Sequence, residues 1–294
     1  MTFAYTIPVA LLIALIAGDI SAASQLGAEP QISIKQQDNR PQSLTEVVSF
    51  IRLIRNLLAT NIYSLESDFS VAIDSATFDT EFDAQIQTII ERPNRFQSAI
   101  QFMNSEGVST NRYIVTSDGQ QVWIYDVGGD AYSVMSRSEF DNTYSANFLT
   151  GSFPRFLFGF LDGFDFVNNA ESAELFLRIP EDELIQNEVM LSSFKAGLES
   201  GGITIGAEAL NGVQYTTFTI SNLSNAFNVV LLVNPETSLI DNVRVLGRSE
   251  DFSMITSESI TYKAAPSSVS QGTFTFVPPV SAQLSDTPIS ITPF

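Results

Sequence analysis

The sequence contains no cysteine and no histidine among its 294 residues. Without cysteine the chain has no disulfide, no thiolate nucleophile and no zinc-thiolate or iron–sulfur site. Without histidine it also lacks the commonest metal ligand and the usual general base. The remaining catalytic routes need a carboxylate pair, a lysine or an oxygen-only metal site, and no such constellation stands out. We therefore expect no enzyme, no catalytic residues, no cofactor and no metal site.

Basic residues are also scarce, with 14 lysines and arginines against 33 acidic residues and a net charge of -19. A surface of this charge repels a polyanion, so we expect no nucleic-acid partner. The hydrophobic fraction of 44% is typical of a folded chain and not of a disordered acidic tail. A chain of this length can bury a substantial core.

The N-terminal apolar run, residues 7–17, is shorter than the roughly 20 residues that cross a bilayer as a helix. Small residues at 21–23 suit a cleavage junction, so we predict a signal peptide over 1–23 and a flexible lead-in over 24–42. A retained helical anchor is the alternative. Because no cysteine is present for acylation, the mature protein is expected to be a soluble periplasmic protein without a lipid anchor.

The hydrophobic periodicity predicts an α+β fold with one curved antiparallel β-sheet. Ser43 and Glu46 form a capping box before an amphipathic helix that ends near Thr60. The predicted strands cover 63–75, 78–92, 96–103, 111–116, 121–126, 131–135, 202–210, 213–221, 228–234, 239–247, 253–263 and 272–277. A helical insertion at about 138–201, with a helix over 180–196, interrupts a single domain over 43–279, and 280–294 forms a C-terminal tail.

Three sequence motifs resemble the LolA family of periplasmic lipoprotein carriers. The first is Arg92-Pro93-Asn94-Arg95-Phe96, and the second runs from Ser117-Asp118-Gly119 to Trp123-Ile124-Tyr125. The third is the Phe-x-Phe-x-Pro-Pro segment from Phe274 to Pro279, which the resemblance makes the closing strand. The resemblance implies a half-open β-barrel whose concave face is covered by helices.

The resemblance also implies a set of cavity and lid residues. Arg92 would project into the cavity and hold lid carbonyls, although the sequence alone favours a surface arginine paired with a carboxylate. Phe96 would contact cargo, and Trp123 is a further candidate unless it only packs across strands. The non-periodic aromatic segment 153–166 suggests lid or partner contacts. Its candidate residues are Phe156, Phe158 and Phe160.

These observations predict an exported carrier or chaperone that holds a lipid, an acyl chain or a lipoprotein in a hydrophobic cavity. The alternative is an envelope sensor or regulatory protein that binds a protein partner through the same fold. The expected partners are a lipid or an acylated protein and an envelope membrane protein, and the expected state is a monomer.

Overall fold

The computed structural model describes residues 44–75, 79–92, 94–104, 106–144, 178, 180–186, 188–200, 202–224, 227–249, 252–264 and 268–293. The predicted signal peptide and lead-in lie outside the described residues. So do Ser43, Pro93 and the three candidate phenylalanines Phe156, Phe158 and Phe160.

The described residues form one large sheet, with α-helices packed on one side and a short 3₁₀ helix on the other. The helices are α1 (Leu44–Leu58), α2 (Arg137–Tyr144), α3 (Glu181–Gln186), α4 (Glu188–Ser200) and a 3₁₀ helix (Gln271–Phe274). The first six strands are β1 (Ile62–Ser75), β2 (Asp79–Glu91), β3 (Arg95–Met103), β4 (Ser109–Asp118), β5 (Gln121–Asp126) and β6 (Ala131–Ser136). The other six are β7 (Ile203–Leu210), β8 (Val213–Ser224), β9 (Phe227–Val233), β10 (Ile240–Ser249), β11 (Phe252–Lys263) and β12 (Gln283–Leu284). Within this part of the chain, no helix combines the length and apolar character that a bilayer span needs.

The twelve strands form a single unclosed sheet in the order β12-β6-β5-β4-β3-β2-β1-β11-β10-β9-β8-β7. Neighbouring strands are antiparallel, except that β12 pairs parallel to β6. The predicted fold class, a curved antiparallel sheet with helices on its concave face, is confirmed. The two halves of the chain meet where β1 pairs with β11.

Alternating side chains give the sheet two distinct faces, as the period of two along a strand requires. On β2, buried and more exposed residues alternate from Phe82 to Ile90. The strand pairings place the buried residues of neighbouring strands opposite one another. Phe96 on β3 and Phe218 on β8 therefore lie on the same face. Helices α2 and α1 pack against these two phenylalanines. We refer to this helix-covered side as the concave face and to the opposite side as the convex face.

The predicted closing strand at 272–277 is wrong. Residues 271–274 form a 3₁₀ helix, and the residues that follow extend across the convex face without joining the sheet. Phe274 is fully buried there, with the Arg95 guanidinium 4.6 Å from its ring centroid. Phe276 packs against Trp123, Tyr125 and Tyr132. The segment lies over paired strands, where no free ladder is available, and Pro278 and Pro279 have no N–H to donate.

The C-terminal residues continue around the β6 edge to the concave face. After the short β12 pairing, the Ile289 amide donates to Ser133 Oγ at 3.2 Å. The Ile291 side chain is buried in the main core, and the Thr292 carbonyl accepts from the Tyr113 hydroxyl at 3.3 Å. The region predicted as a C-terminal tail is therefore packed along the sheet as far as residue 293.

Phe274 gives a direct test of this packed arrangement. Because its ring is fully buried, we expect Phe274→Ala to lower the free energy of unfolding by about 3–5 kcal/mol. Phe276→Ala is the matched control, since the Phe276 ring is only partly buried and its loss should cost less. Urea unfolding of both variants measures the difference. Equal or smaller destabilisation in Phe274→Ala would contradict the packing described.

Candidate functional site

The concave face carries many buried apolar side chains over its central strands. Phe82 on β2, Phe102 on β3 and Tyr113 on β4 form a chain of ring contacts, with centroid distances of 5.8 and 6.0 Å. All three side chains are buried. The same face bears Leu65, Phe69, Val71, Ala84, Ile86, Ile90, Ile100, Val115, Val122, Ile124 and Ile260. Such a layer can remove an apolar chain from water without any covalent chemistry.

Helix α1 lies over the β8 side of this face. Its Phe50 ring is 5.1 Å from the Phe218 ring. Near its C-terminus, the Asn56 side-chain amide donates to the Thr237 carbonyl at 2.8 Å, and the Asn56 carbonyl accepts from the Tyr63 hydroxyl at 2.7 Å. These bonds fasten the end of α1 to the β9–β10 turn and to β1.

Helix α2 begins with a capping box over the opposite side of the face. The Glu139 carboxylate accepts from the Ser136 amide at 2.8 Å, and the Ser136 hydroxyl accepts from the Glu139 amide at 3.2 Å. Hydrogen bonds from the Ser136 hydroxyl and amide lower the pKa of Glu139 below its usual 4.5. The cap was missed in the sequence, although its Ser-x-x-Glu spacing marks it. It sets Phe140 against Phe96, with ring centroids 6.1 Å apart.

Arg92 lies beside the C-terminal end of α1. Its backbone amide donates to the Asn61 carbonyl at 2.8 Å, and its side chain is half-buried. Burial raises the pKa of the Tyr63 hydroxyl to about 12, and the Arg92 charge opposes that rise. The Arg92 guanidinium therefore acts electrostatically on the tyrosine whose hydroxyl donates to the Asn56 carbonyl at the end of α1. Its predicted contact with lid carbonyls stays a prediction.

Phe96 and Trp123 lie on opposite faces of the sheet. Phe96 is buried on the concave face, under Phe140 and with the Arg137 guanidinium 5.6 Å from its ring centroid. Trp123 is on the convex face, where it stacks with Phe276 at 6.4 Å. The structure therefore brings Arg92 and Phe96 to the concave side and places Trp123 on the convex side, against Phe276 of the C-terminal segment. A ligand-binding role of Trp123 stays a prediction. Whether Phe96 contacts a ligand stays a prediction.

Buried polar residues on the concave face were not singled out in the sequence. Ser67 and Glu258 are 4% and 3% exposed, and Thr256 beside them is 4% exposed. Glu258 occupies a position where β11 alternates toward the core, between Thr256 and Ile260. A charged residue in the inward set of a strand is the signal that could have identified it.

No group of three or more histidine, cysteine, aspartate or glutamate residues in the described ranges is arranged to hold a metal ion.

No protein-family model matches the sequence, and no curated protein matches it. Solved structures do resemble it. The lipoprotein LppX of Mycobacterium tuberculosis aligns over 77% of this chain and 97% of its own, with 11% identity and a TM-score of 0.35. A LolA superfamily protein of Nitrosomonas europaea aligns over 80% and 97%, with 10% identity and a TM-score of 0.29.

A third similar structure is the Pseudomonas aeruginosa MucA/MucB complex, with 9% identity and a TM-score of 0.33 over 76% of this chain and 59% of that one.

Proposed function

We propose that this protein binds an apolar chain on the concave face of its sheet, as an exported carrier or chaperone of a lipid, an acyl chain or a lipoprotein. The proposal rests on the apolar side chains of the concave face. They lie between Phe218, which α1 contacts, and Phe96, which α2 contacts. Phe69 on β1 and Phe82 on β2 are among them. Binding of this kind requires positioning and desolvation but no catalytic group.

The energetics of such a site follow from the burial of methylene groups. Each buried methylene contributes ~0.8 kcal/mol, so one acyl chain supplies several kcal/mol. Release then requires a closed, empty form that competes with cargo. The helices cover part of the face, with Phe50 of α1 against Phe218 and Phe140 of α2 against Phe96.

The single tryptophan allows the occupied face to be identified directly. In the wild type, Trp123 reports only on the convex face. The double variant Trp123→Phe, Phe102→Trp moves the reporter to the concave layer. We expect a long-chain alcohol brominated in mid-chain to quench the concave reporter saturably, because bromine must come close to the indole to quench it. Fluorescence titration of both proteins measures this effect.

The wild type is the matched control, and we expect little quenching of Trp123. Stronger quenching of Trp123 than of the concave reporter would move the site to the convex face. Absence of saturable quenching in both proteins would remove the apolar-chain proposal and favour the regulatory alternative. Circular dichroism checks that the reporter variant is folded.

We further propose that Arg92 stabilises the closed, empty form. Its charge lies at the end of α1, next to the Tyr63 hydroxyl that anchors the helix. A cation near a helix C-terminus is favourable, so its loss should loosen that end of the cover. We expect Arg92→Leu to slow release of the brominated alcohol and to raise its apparent affinity, because the competing closed form is weakened.

Arg112→Leu is the matched control, since Arg112 is exposed on the convex side of β4. Because Arg112 lies on the face opposite α1, this change should leave the rate of release unaltered. Stopped-flow dissociation under the same salt compares the two variants with the wild type. Equal rates in all three folded proteins would make Arg92 an ordinary structural residue.

A further inference from the structure

A row of polar side chains crosses the apolar concave face. One residue from each of five neighbouring strands contributes, in the order Ser117 on β4, Ser98 on β3, Thr88 on β2, Ser67 on β1 and Glu258 on β11. None of the five is more than 4% exposed. We call this row the polar track.

The strand register places the residues of the polar track in one row across neighbouring strands. Thr88 and Ser98 are direct partners on β2 and β3. Ser67 lies two residues beyond Leu65, the β1 partner of Thr88, and Glu258 lies two residues before Ile260, the β11 partner of Ser67. Diagonal neighbours on one face of a sheet are about 7–8 Å apart, a distance that a side chain as long as that of Glu258 can span toward Ser67.

The two ends of the track differ in how their hydrogen bonds are satisfied. Thr88 Oγ1 and Ser98 Oγ bond to each other at 3.0 Å, and Ser117 Oγ donates to the Asn94 carbonyl at 3.0 Å. Ser67 Oγ is buried and has no hydrogen-bond partner among the described residues. A buried hydroxyl without a partner is destabilising, which marks this end as a place where another polar group can bind.

The charge of Glu258 determines which kind of ligand group can bind beside Ser67. An ionised Glu258 accepts hydrogen bonds and donates none, whereas the Ser67 hydroxyl can do both. When Glu258 is ionised, a carboxylate or phosphate next to it faces like-charge repulsion in an apolar setting. A protonated amine, an amide N–H or a hydroxyl would instead form a charge-assisted or neutral hydrogen bond.

We propose that Ser67 and Glu258 form the headgroup end of the binding face and select an amphiphile whose polar end donates hydrogen bonds over one whose polar end is anionic. This inference rests on the proposed apolar-chain function and adds the chemistry of the ligand's polar end. The apolar chain lies along the phenylalanine-rich part of the face, and the donor group sits between β1 and β11.

The test compares ligands of equal chain length and different headgroup. Dodecylamine, dodecanol and dodecanoate, each below its micelle concentration, compete with the neutral probe N-phenyl-1-naphthylamine for the folded protein. We expect the amine to compete at about a tenfold or more lower concentration than the carboxylate, given the usual strength of a hydrogen bond to a charged group. Equal competition by the amine and the carboxylate would overturn the proposal.

Glu258→Gln and Glu81→Gln separate a local effect from the overall negative charge of the protein. Both remove one negative charge, but Glu81 is exposed on the convex side of β2. We expect the preference for the amine to fall at least several-fold in Glu258→Gln and to persist in Glu81→Gln. An equal preference in the two variants would show that long-range attraction explains it, which overturns the local assignment.

Competition by dodecanol separates a failure of the headgroup inference from a failure of the apolar-chain function. If dodecanol displaces the probe but the amine has no advantage, the headgroup inference fails and the apolar-chain function stands. If neither the probe nor dodecanol binds, both fail.

Ser67→Ala tests the same site if Glu258→Gln does not fold. We expect it to weaken competition by dodecylamine and dodecanol about three- to tenfold, the usual effect of losing one hydrogen bond, and to leave affinity for the neutral probe unchanged. Unchanged competition by both amphiphiles would contradict a role for Ser67.

Discussion

The pairing of β1 with β11 is the constraint on which the rest of the structure depends. It runs from Ser64 opposite Lys263 to Ser75 opposite Phe252 and joins segments almost two hundred residues apart. It makes one twelve-stranded sheet out of two smaller ones. Because side chains alternate, a slip of one residue would turn the concave set of either half toward solvent. The shared apolar face exists only in this register.

The same register explains why the two faces differ in character. On the concave face, the two halves together present an apolar layer that holds α1 and α2 and that contains Glu258 next to Ser67. On the convex face, the aromatic side chains of β5 and β6 are covered by Phe276 from the C-terminal segment. Burial on the convex side is thus internal packing by the C-terminal segment, and the ligand that we propose lies on the concave side.

Much of the fold could be predicted because its signals are local. Asn211-Gly212 predicts a tight hairpin, and both residues have positive φ, 52° and 83°. The alternation in β2 likewise identifies its inward set. The segment from Phe274 to Phe276 was misassigned because its alternation matches a strand, while its actual position depends on distant strands that are already paired. The alternation of residues in a segment does not show whether a neighbouring strand still has an unpaired edge.

The candidate site was predicted less completely for the same reason. Trp123 and Phe96 belong to adjacent motifs in the sequence, but only the strand register shows that they face opposite sides. The alternation of β11 marks Glu258 as an inward residue, but only the β1–β11 pairing shows that it lies beside Ser67. A site assembled across five strands depends on long-range pairing, which single-sequence periodicity does not determine.

Native mass spectrometry most directly tests the central claim that the concave face holds an apolar chain. The protein would be purified without detergent from the exported fraction of the cells that make it, and sprayed from a volatile buffer. The account predicts a population with the added mass of a lipid or an acylated species, which solvent extraction removes. A protein that carries only another polypeptide, or that shows its own mass alone under every detergent-free condition, would contradict the account.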